Sequence, residues 1–237
     1  MINHLKKKFE IYGIDGYLIP KNDEFFSEYA NPNRLKIISN FTGSAGFALI
    51  LKNKNYLFVD GRYTLQAKIE SGKEFEIYEI PKFNLKKILT ISKKKLRIGF
   101  DPKLFTNQSL KRQFLPECEL ISINNNLIDQ LSKTKKYKSK KFYQLDSKFT
   151  GETVKSKINR LLLFMSKNKI DNIFISAPEN VSWLLNLRGS DNPYSPIPNC
   201  RLILSKSKKI YLFASKFKIN EIRNKISINI NYIQEDD

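Results

Sequence analysis

A pattern of motifs that occurs twice constrains the fold of this 237-residue chain more than any other feature. The first copy contains, in order, a strand-like run at 16–20, the loop NFTGS at 40–44, and apolar runs at 48–51 and 56–58. The second copy contains their counterparts in the same order, at 170–175, at 186–190 (NLRGS), at 201–204 and at 211–213. Because internal self-similarity indicates a repeated structural unit, we predict two copies of one module.

Each copy alternates between helix and strand patterns. In the first copy, apolar residues at helical spacing in 2–12 predict an amphipathic helix that Gly13 ends. The turn KNKN at 52–55 joins two apolar runs and predicts a hairpin. Further strands are predicted at 75–80, 96–100 and 119–123, and further helices at 62–71, 83–92 and 107–114. This alternation favours an α/β fold with mixed sheets.

The lysine-rich run SKTKKYKSKK at 132–141 separates the two copies. Such a run repels itself and is typical of a linker. We therefore predict domain I at residues 1–131, a basic linker at 132–147 and domain II at 148–237. After residue 213 the second copy shows one helix pattern, at 218–226, and one strand pattern, at 228–233, so we expect domain II to be incomplete and the chain to be a truncated part of a longer protein.

Composition excludes several classes of function. The net charge of +19 would suit nucleic acid, but the lysines are dispersed along the chain, so we do not expect a nucleic-acid partner. No segment is apolar enough to be a signal peptide or a membrane span. Cys118 and Cys200 lie too far apart for a metal knuckle and are interpreted as buried free thiols. By default these features indicate a cytoplasmic protein.

The residues needed for hydrolytic or metal chemistry are scarce. His4 is the single histidine, so neither a zinc motif nor a convincing Ser-His-Asp triad can be built. The segment GSAG at 43–46 lacks the lysine of a phosphate-binding loop and leads into a strand, so we interpret it as a tight turn. Asp60 could be a catalytic acid, but capping of the following helix is favoured. For Arg188 and Asp191, which flank Gly189, an internal salt bridge is the simpler interpretation.

Four motifs together resemble a known family. They are RLKIISNFTGSAG at 34–46, LFVDGRYTLQA at 57–67, IGFDP at 98–102 and NVSWLLNLRGSD at 180–191. In this order they are similar to the N-terminal region of Xaa-Pro aminopeptidases (aminopeptidase P) of the creatinase/prolidase metallopeptidase family. The resemblance spans most of the chain.

The resemblance implies two tandem creatinase N-terminal-like domains with a ribonuclease-H-like α/β fold. It implies a catalytic pita-bread domain, absent from this chain, that holds two divalent metals, typically manganese, and removes the N-terminal residue from peptides with proline in second position. The chain itself is then noncatalytic and needs no cofactor, and the full-length enzyme is expected to be a homodimer acting on short peptides. A stand-alone noncatalytic module that binds peptides or proteins is the alternative.

In relatives, loops of the N-terminal domains help to wall the active site and support assembly. By position in the motifs, the resemblance implies six substrate-proximal candidates: Phe41, Thr42, Ser44, Arg188, Ser190 and Asp191.

Overall fold

The computed structural model describes residues 1–82, 85–90, 94–132, 141–192, 194–222 and 228–234. For residues 221–222 it describes the backbone and not the side chains. The chain divides into two compact units, Met1–Lys135 and Lys136–Asp237. We call them the first unit and the second unit and describe each by itself.

The first unit alternates helices with strands, as its sequence pattern predicts. Its elements are α1 (Ile2–Tyr12), β1 (Gly16–Pro20), α2 (Arg34–Ser39), β2 (Gly46–Leu51), β3 (Asn55–Asp60), α3 (Thr64–Ser71), β4 (Glu76–Ile80), α4 (Lys86–Leu89), β5 (Leu96–Phe100), α5 (Asn107–Phe114), β6 (Cys118–Ser122) and α6 (Leu127–Leu131). The predicted hairpin is β2–β3. Parts of the helix predicted at 83–92 lie outside the described residues.

The strands of the first unit form one mixed sheet in the order β4-β3-β2-β1-β5-β6. β2 is antiparallel to both of its neighbours, β1 and β3, whereas β4 pairs with β3, and β5 with β1 and β6, in parallel. Parallel neighbours need a crossover connection, which α3 provides between β3 and β4 and α5 between β5 and β6. Apolar clusters cover both faces of this sheet.

The second unit repeats part of this arrangement. Its elements are β7 (Phe142–Gln144), α7 (Ser147–Thr150), α8 (Val154–Lys167), β8 (Asn172–Ile175), α9 (Pro178–Leu185), β9 (Leu187–Gly189), β10 (Arg201–Ser205), β11 (Ile210–Ala214), α10 (Lys216–Ile222) and β12 (Asn231–Gln234). Within the described residues, its main sheet has the order β12-β11-β10-β8, and β7 pairs with β9 in a separate two-stranded sheet. β8, β10, β11 and β12 therefore correspond to β1, β2, β3 and β4, with the same directions.

The backbone confirms the repeat at single residues. Asn40 ends α2 in the left-handed conformation, with φ 64°, and Asn186 ends α9 in the same conformation, with φ 53°. Gly13 and Lys169, which precede the matching strands β1 and β8, are also left-handed, with φ 59° and 56°. Asparagine and glycine tolerate this region better than other residues, so the loop NFTGS and its counterpart start from the same chain reversal.

The pairing of strands corrects one part of the sequence alignment. Ile19 pairs with Ala48 in the first unit, and the matching Ile175 pairs with Leu202 in the second. Ala48 therefore corresponds to Leu202, and the alignment of 48–51 with 201–204 was one residue out of step. The shared letters Leu-Ile-Leu suggested it, but a shift of one residue moves every side chain to the opposite face of a strand.

Two further predictions differ from the structure. The counterpart of the NFTGS loop, at 186–190, contains a short strand, β9, that was not predicted and that pairs with β7. The predicted linker at 132–147 includes β7, whose Phe142 is buried in the apolar cluster of the second unit. Residues 133–140, the most basic part of that linker, lie outside the described residues.

Each unit contains one cysteine, and both are fully buried. Cys118 begins β6, where burial raises the pKa of its thiol to about 11. Cys200 directly precedes β10. In the ranges that the structure describes, no helix is both long and apolar enough to cross a membrane.

Candidate functional site

The loop at residues 40–46 of the first unit is shaped by the ring of Phe41. This ring is fully buried and lies edge-on to the ring of Tyr63, with centroids 5.9 Å apart. A Cβ atom at Gly43 would lie 2.2 Å from the Phe41 ring, so this position requires glycine. The segment GSAG therefore forms a packed bend that leads directly into β2 at Gly46, not the tight turn that was predicted.

Polar contacts attach the same loop to α3. The backbone N–H and the hydroxyl of Thr42 both donate to the carboxylate of Glu70, each at 2.7 Å. Gln66 donates to the Thr42 hydroxyl at 2.7 Å and to Glu70 at 3.0 Å. The hydroxyls of Ser44 and Tyr63 are 2.8 Å apart. The motifs NFTGSAG and DGRYTLQA thus form one hydrogen-bonded cluster.

Local hydrogen bonds explain the environment of the two carboxylates in this cluster, those of Glu70 and Asp60. Partial burial acts to raise the pKa of Glu70, but hydrogen bonds from Thr42 and Gln66 and the charge of Lys36 outweigh it, and the net shift is downward. Asp60 accepts hydrogen bonds from the backbone N–H and the Nε of Arg62, at 3.0 and 2.8 Å. Asp60 therefore caps the 3-10 turn Gly61–Tyr63 that leads into α3, which agrees with the capping role predicted for it.

Ion pairs with two carboxylates hold Arg34, the first residue of the motif RLKIISNFTGSAG. Arg34 donates to Asp129 through Nε and Nη2, at 2.7 to 3.0 Å, and its Nη2 also reaches Glu24 at 3.2 Å. Arg34 is buried, whereas Glu24 and Asp129 are partly exposed. Sequence analysis missed this contact because nothing in the sequence pairs residues so far apart along the chain.

In the second unit the counterpart of the loop is anchored by a buried lysine. Lys157 of α8 donates to the carbonyl of Trp183 at 2.7 Å and to the side-chain oxygen of Asn186 at 2.6 Å. Its ammonium also lies 4.4 Å from the centre of the Trp183 ring. Asn186 in turn donates to the carbonyl of Glu152 at 3.0 Å. Asn186 therefore ends the helix in a left-handed conformation and also accepts a hydrogen bond from the Lys157 ammonium.

The environment of Lys157 disfavours its charged form. Burial is the main cause of its lowered pKa; the positive charges of Arg188 and Arg160 act in the same direction, while Glu152 opposes them. The hydrogen bonds to Trp183 and Asn186 and the ring face of Trp183 are the contacts that stabilise this ammonium.

The segment after β9 is held by a second buried lysine. The Lys218 ammonium of α10 lies 2.6 Å from Asp191, and these side chains are only 3% and 0% exposed. Asp191 also accepts from the backbone N–H of Asn199 at 2.7 Å, and Lys218 donates to the Asn199 carbonyl at 3.2 Å. This ion pair closes the base of the proline-rich loop between residues 191 and 199.

The internal salt bridge expected for Arg188 and Asp191 takes a different form. Asp191 pairs with Lys218, while Arg188 donates to the carbonyls of Leu187 and Ser182, at 2.7 and 3.3 Å. Arg188 is half-buried, and Ser190 is exposed. The prediction of an internal ion pair was right for Asp191 only, because the position of α10 could not be inferred from the sequence.

The six substrate-proximal candidates thus fall into two groups within their units. Phe41 and Asp191 are buried and shape the backbone around them. Thr42 and Ser190 are exposed, and Ser44 and Arg188 are partly exposed. Nowhere in the described part of the chain do three His, Cys, Asp or Glu side chains come together as metal ligands.

Comparisons with known proteins agree with the duplicated architecture. Models of the creatinase/prolidase N-terminal domain match residues 1–131 and residues 133–236. The sequence is 33% identical over 205 residues to a probable Xaa-Pro aminopeptidase P of Laccaria bicolor, covering 81% of this chain and 32% of that protein. It is 30% identical over 232 residues to Xaa-Pro aminopeptidase 2 of Rattus norvegicus, covering 92% of this chain and 34% of that protein.

The fold also matches a solved structure. X-prolyl aminopeptidase from Caenorhabditis elegans, described as a cytosolic enzyme with a di-nuclear active site, superposes with a TM-score of 0.87 at 24% identity. The match covers 98% of this chain and 42% of that one. The chain spans 32 to 34% of the length of the two curated relatives. It belongs to the creatinase/prolidase family, as an N-terminal region in which the family's N-terminal domain occurs twice.

Proposed function

We propose that residues 1–237 are the noncatalytic N-terminal part of a Xaa-Pro aminopeptidase, which removes the N-terminal residue from peptides with proline in second position. The tandem match of two creatinase-type N-terminal domains, in a chain whose relatives carry that name, supports this proposal most strongly. In this proposal, the two units support assembly, and their loops line part of the active site.

The chemistry of the reaction is then placed outside these residues. The di-nuclear site named for the Caenorhabditis elegans enzyme suggests two divalent metals, which we propose to be manganese. They would activate water and polarise the scissile carbonyl. We further propose a cytoplasmic, homodimeric enzyme for short peptides, with no nucleic-acid partner.

We assign different roles to the six candidate residues according to the exposure of their side chains. Thr42, Ser44, Arg188 and Ser190 present polar groups at the surface of their units and would contact peptide. Phe41 and Asp191 are buried and would act as positioning residues.

Two measurements test this proposal. The reading frame after Asp237 should encode two Asp, one His and two Glu in the family's order; a stop codon there would contradict the proposal.

In the full-length enzyme, Ser190→Ala should raise KM for an Xaa-Pro peptide more than it lowers kcat. Ser207→Ala, a change at an exposed serine in the β10–β11 turn, is the control, and equal effects of both variants would count against a wall role.

A further inference from the structure

The two units differ in the connection that follows their first matched strand. Residues 21–33 connect β1 to α2 in the first unit, whereas only residues 176–177 connect β8 to α9 in the second. The second unit shows that the module can make this connection in two residues, so the fold does not require the longer one. Loops of more than about 12 residues are uncommon in compact domains and are usually functional. We call residues 21–33 the long loop.

Two buried charged side chains fix the first part of the long loop. Lys21 and Asp23 are only 8% and 5% exposed. The Lys21 ammonium donates to the carbonyl of Glu28 at 3.0 Å. Asp23 Oδ1 accepts hydrogen bonds from the backbone N–H groups of Phe25 and Ser27, at 2.9 and 3.0 Å. Because burying charged groups costs free energy, this loop is held in shape at a cost to stability.

Phe26, which lies between the two residues bound by Asp23, has an unfavourable backbone conformation. Its φ of 57° lies in the left-handed region, where a bulky side chain is an outlier. Its side chain is 53% exposed, so burial of the ring does not offset this strain. Stability alone therefore does not explain the conformation of Phe26. Strained residues of this kind cluster at functional sites.

The long loop adjoins the loop that carries two of the candidate residues. The backbone N–H of Lys21 donates to the carbonyl of Gly46 at 3.1 Å. This bond joins the start of the long loop to the end of the segment that contains Thr42 and Ser44, which we propose to contact peptide. An aromatic ring beside hydroxyl groups combines apolar contact with hydrogen bonding, as ligand-binding surfaces do.

The proposed reaction limits the part of the peptide that Phe26 can select. The second residue of the substrate is always proline, and the bond before it is the one on which the metals would act. The third residue is variable and lies farther along the peptide, so it is a position at which a loop of the N-terminal units can add selectivity. A phenyl ring favours an apolar side chain there.

We infer that Phe26 contacts the third residue of the peptide and selects for an apolar side chain at that position, an inference that rests on the proposed function. Asp23 is a positioning residue, because it touches the backbone on both sides of Phe26 and not the peptide.

The test compares two tripeptides in the full-length enzyme, alanyl-prolyl-phenylalanine and alanyl-prolyl-glycine. We expect the wild-type enzyme to prefer the first in kcat/KM, and Phe26→Ala to lower this preference about tenfold through KM. Ile11→Ala, a change at a side chain of α1 that is 76% exposed, should leave the preference unchanged. An unchanged preference in Phe26→Ala would overturn this inference alone. No hydrolysis of either peptide by the wild-type enzyme would contradict the proposed function as well.

Variants of Asp23 test its positioning role. Asp23→Ala removes the acceptor of two backbone N–H groups and should lower the preference as Phe26→Ala does. Asp23→Asn keeps an oxygen acceptor and should retain the preference. Equal preferences in these two variants would show that the hydrogen bonds of Asp23 do not position Phe26.

A glycine variant separates selectivity from stability in the 237-residue chain. Glycine adopts the left-handed conformation freely and alanine does not. Amide exchange in β1 should therefore be slower in Phe26→Gly than in Phe26→Ala, although both variants of the full-length enzyme lose the preference. Faster or equal exchange in Phe26→Gly would overturn the argument from backbone strain.

Discussion

The NFTGS loop of the first unit and its counterpart in the second share a backbone but not an anchor. Both begin at a left-handed asparagine that ends a helix. The first is attached to α3 by the Glu70 carboxylate at a partly exposed site. The second is held by two buried ammonium groups, those of Lys157 and Lys218. The repeat therefore conserves chain geometry, while each unit supplies its own electrostatics, and the second loop depends more on burial.

The largest effect is expected at the buried pair of the second unit. Asp191→Ala leaves the Lys218 ammonium buried without its carboxylate, which should cost about 3 to 5 kcal/mol in the free energy of unfolding. Urea unfolding followed by fluorescence of Trp183, the single tryptophan, reports on this unit. The double variant Asp191→Ala, Lys218→Met should recover much of the loss; if it is no more stable than Asp191→Ala, the cost does not arise from the stranded charge.

The matching experiment in the first unit should give a smaller loss. Asp129→Ala removes the bidentate partner of Arg34, but Glu24 remains and the site is partly exposed. We expect a cost of about 2 kcal/mol, measured by amide exchange in β1 and β5. A loss as large as that of Asp191→Ala would show that exposure does not distinguish the two pairs.

The two left-handed asparagines should separate backbone from side-chain effects. Glycine adopts this conformation freely, so Asn40→Gly should change stability by a few tenths of a kcal/mol. Asn186→Gly also removes the acceptor of Lys157, and we expect about 1.5 to 3 kcal/mol. Thermal unfolding measures the loss of stability in each of the two variants. Equal losses of stability would contradict the role assigned to the Asn186 side chain.

The smallest effect is a pH dependence confined to the first loop. Because the pKa of Glu70 is lower in the folded unit than its ordinary 4.5, the unfolded chain binds more protons as the pH falls through this range. The stabilisation is present above about pH 4.5 and is lost as the pH falls through the folded pKa. Amide exchange at Thr42 should therefore accelerate in acid beyond its intrinsic pH trend, and Glu70→Gln should remove the excess.

Local patterns in the sequence predicted much of this architecture, including the hairpin β2–β3, helix α5 and the duplicated module. Motif order predicted the family. The alignment failed by one residue at Ala48, because short apolar runs look alike in either register while only cross-strand pairing fixes the buried side. Helix α9 was not predicted, although Val181, Leu184 and Leu185 stand at helical spacing and are buried on one side of it.

The anchors of the candidate loops could not be predicted. Asp191 and Lys218 lie on different elements, and Lys157 is one of many lysines in a basic chain. These residues matter because they are buried, and their burial depends on contacts between elements that are far apart in the sequence. Exposure likewise divided the six candidates into buried residues and surface residues, a distinction that motif position alone could not make.

The buried cysteines give each unit its own chemical reporter. Cys118 and Cys200 are both fully buried, and the raised pKa of Cys118 keeps its thiol protonated and unreactive at neutral pH. A thiol-specific alkylating reagent should modify each cysteine only when its unit opens. The rate of labelling at each position, read by mass spectrometry, therefore reports the opening of each of the two duplicated domains separately within one molecule.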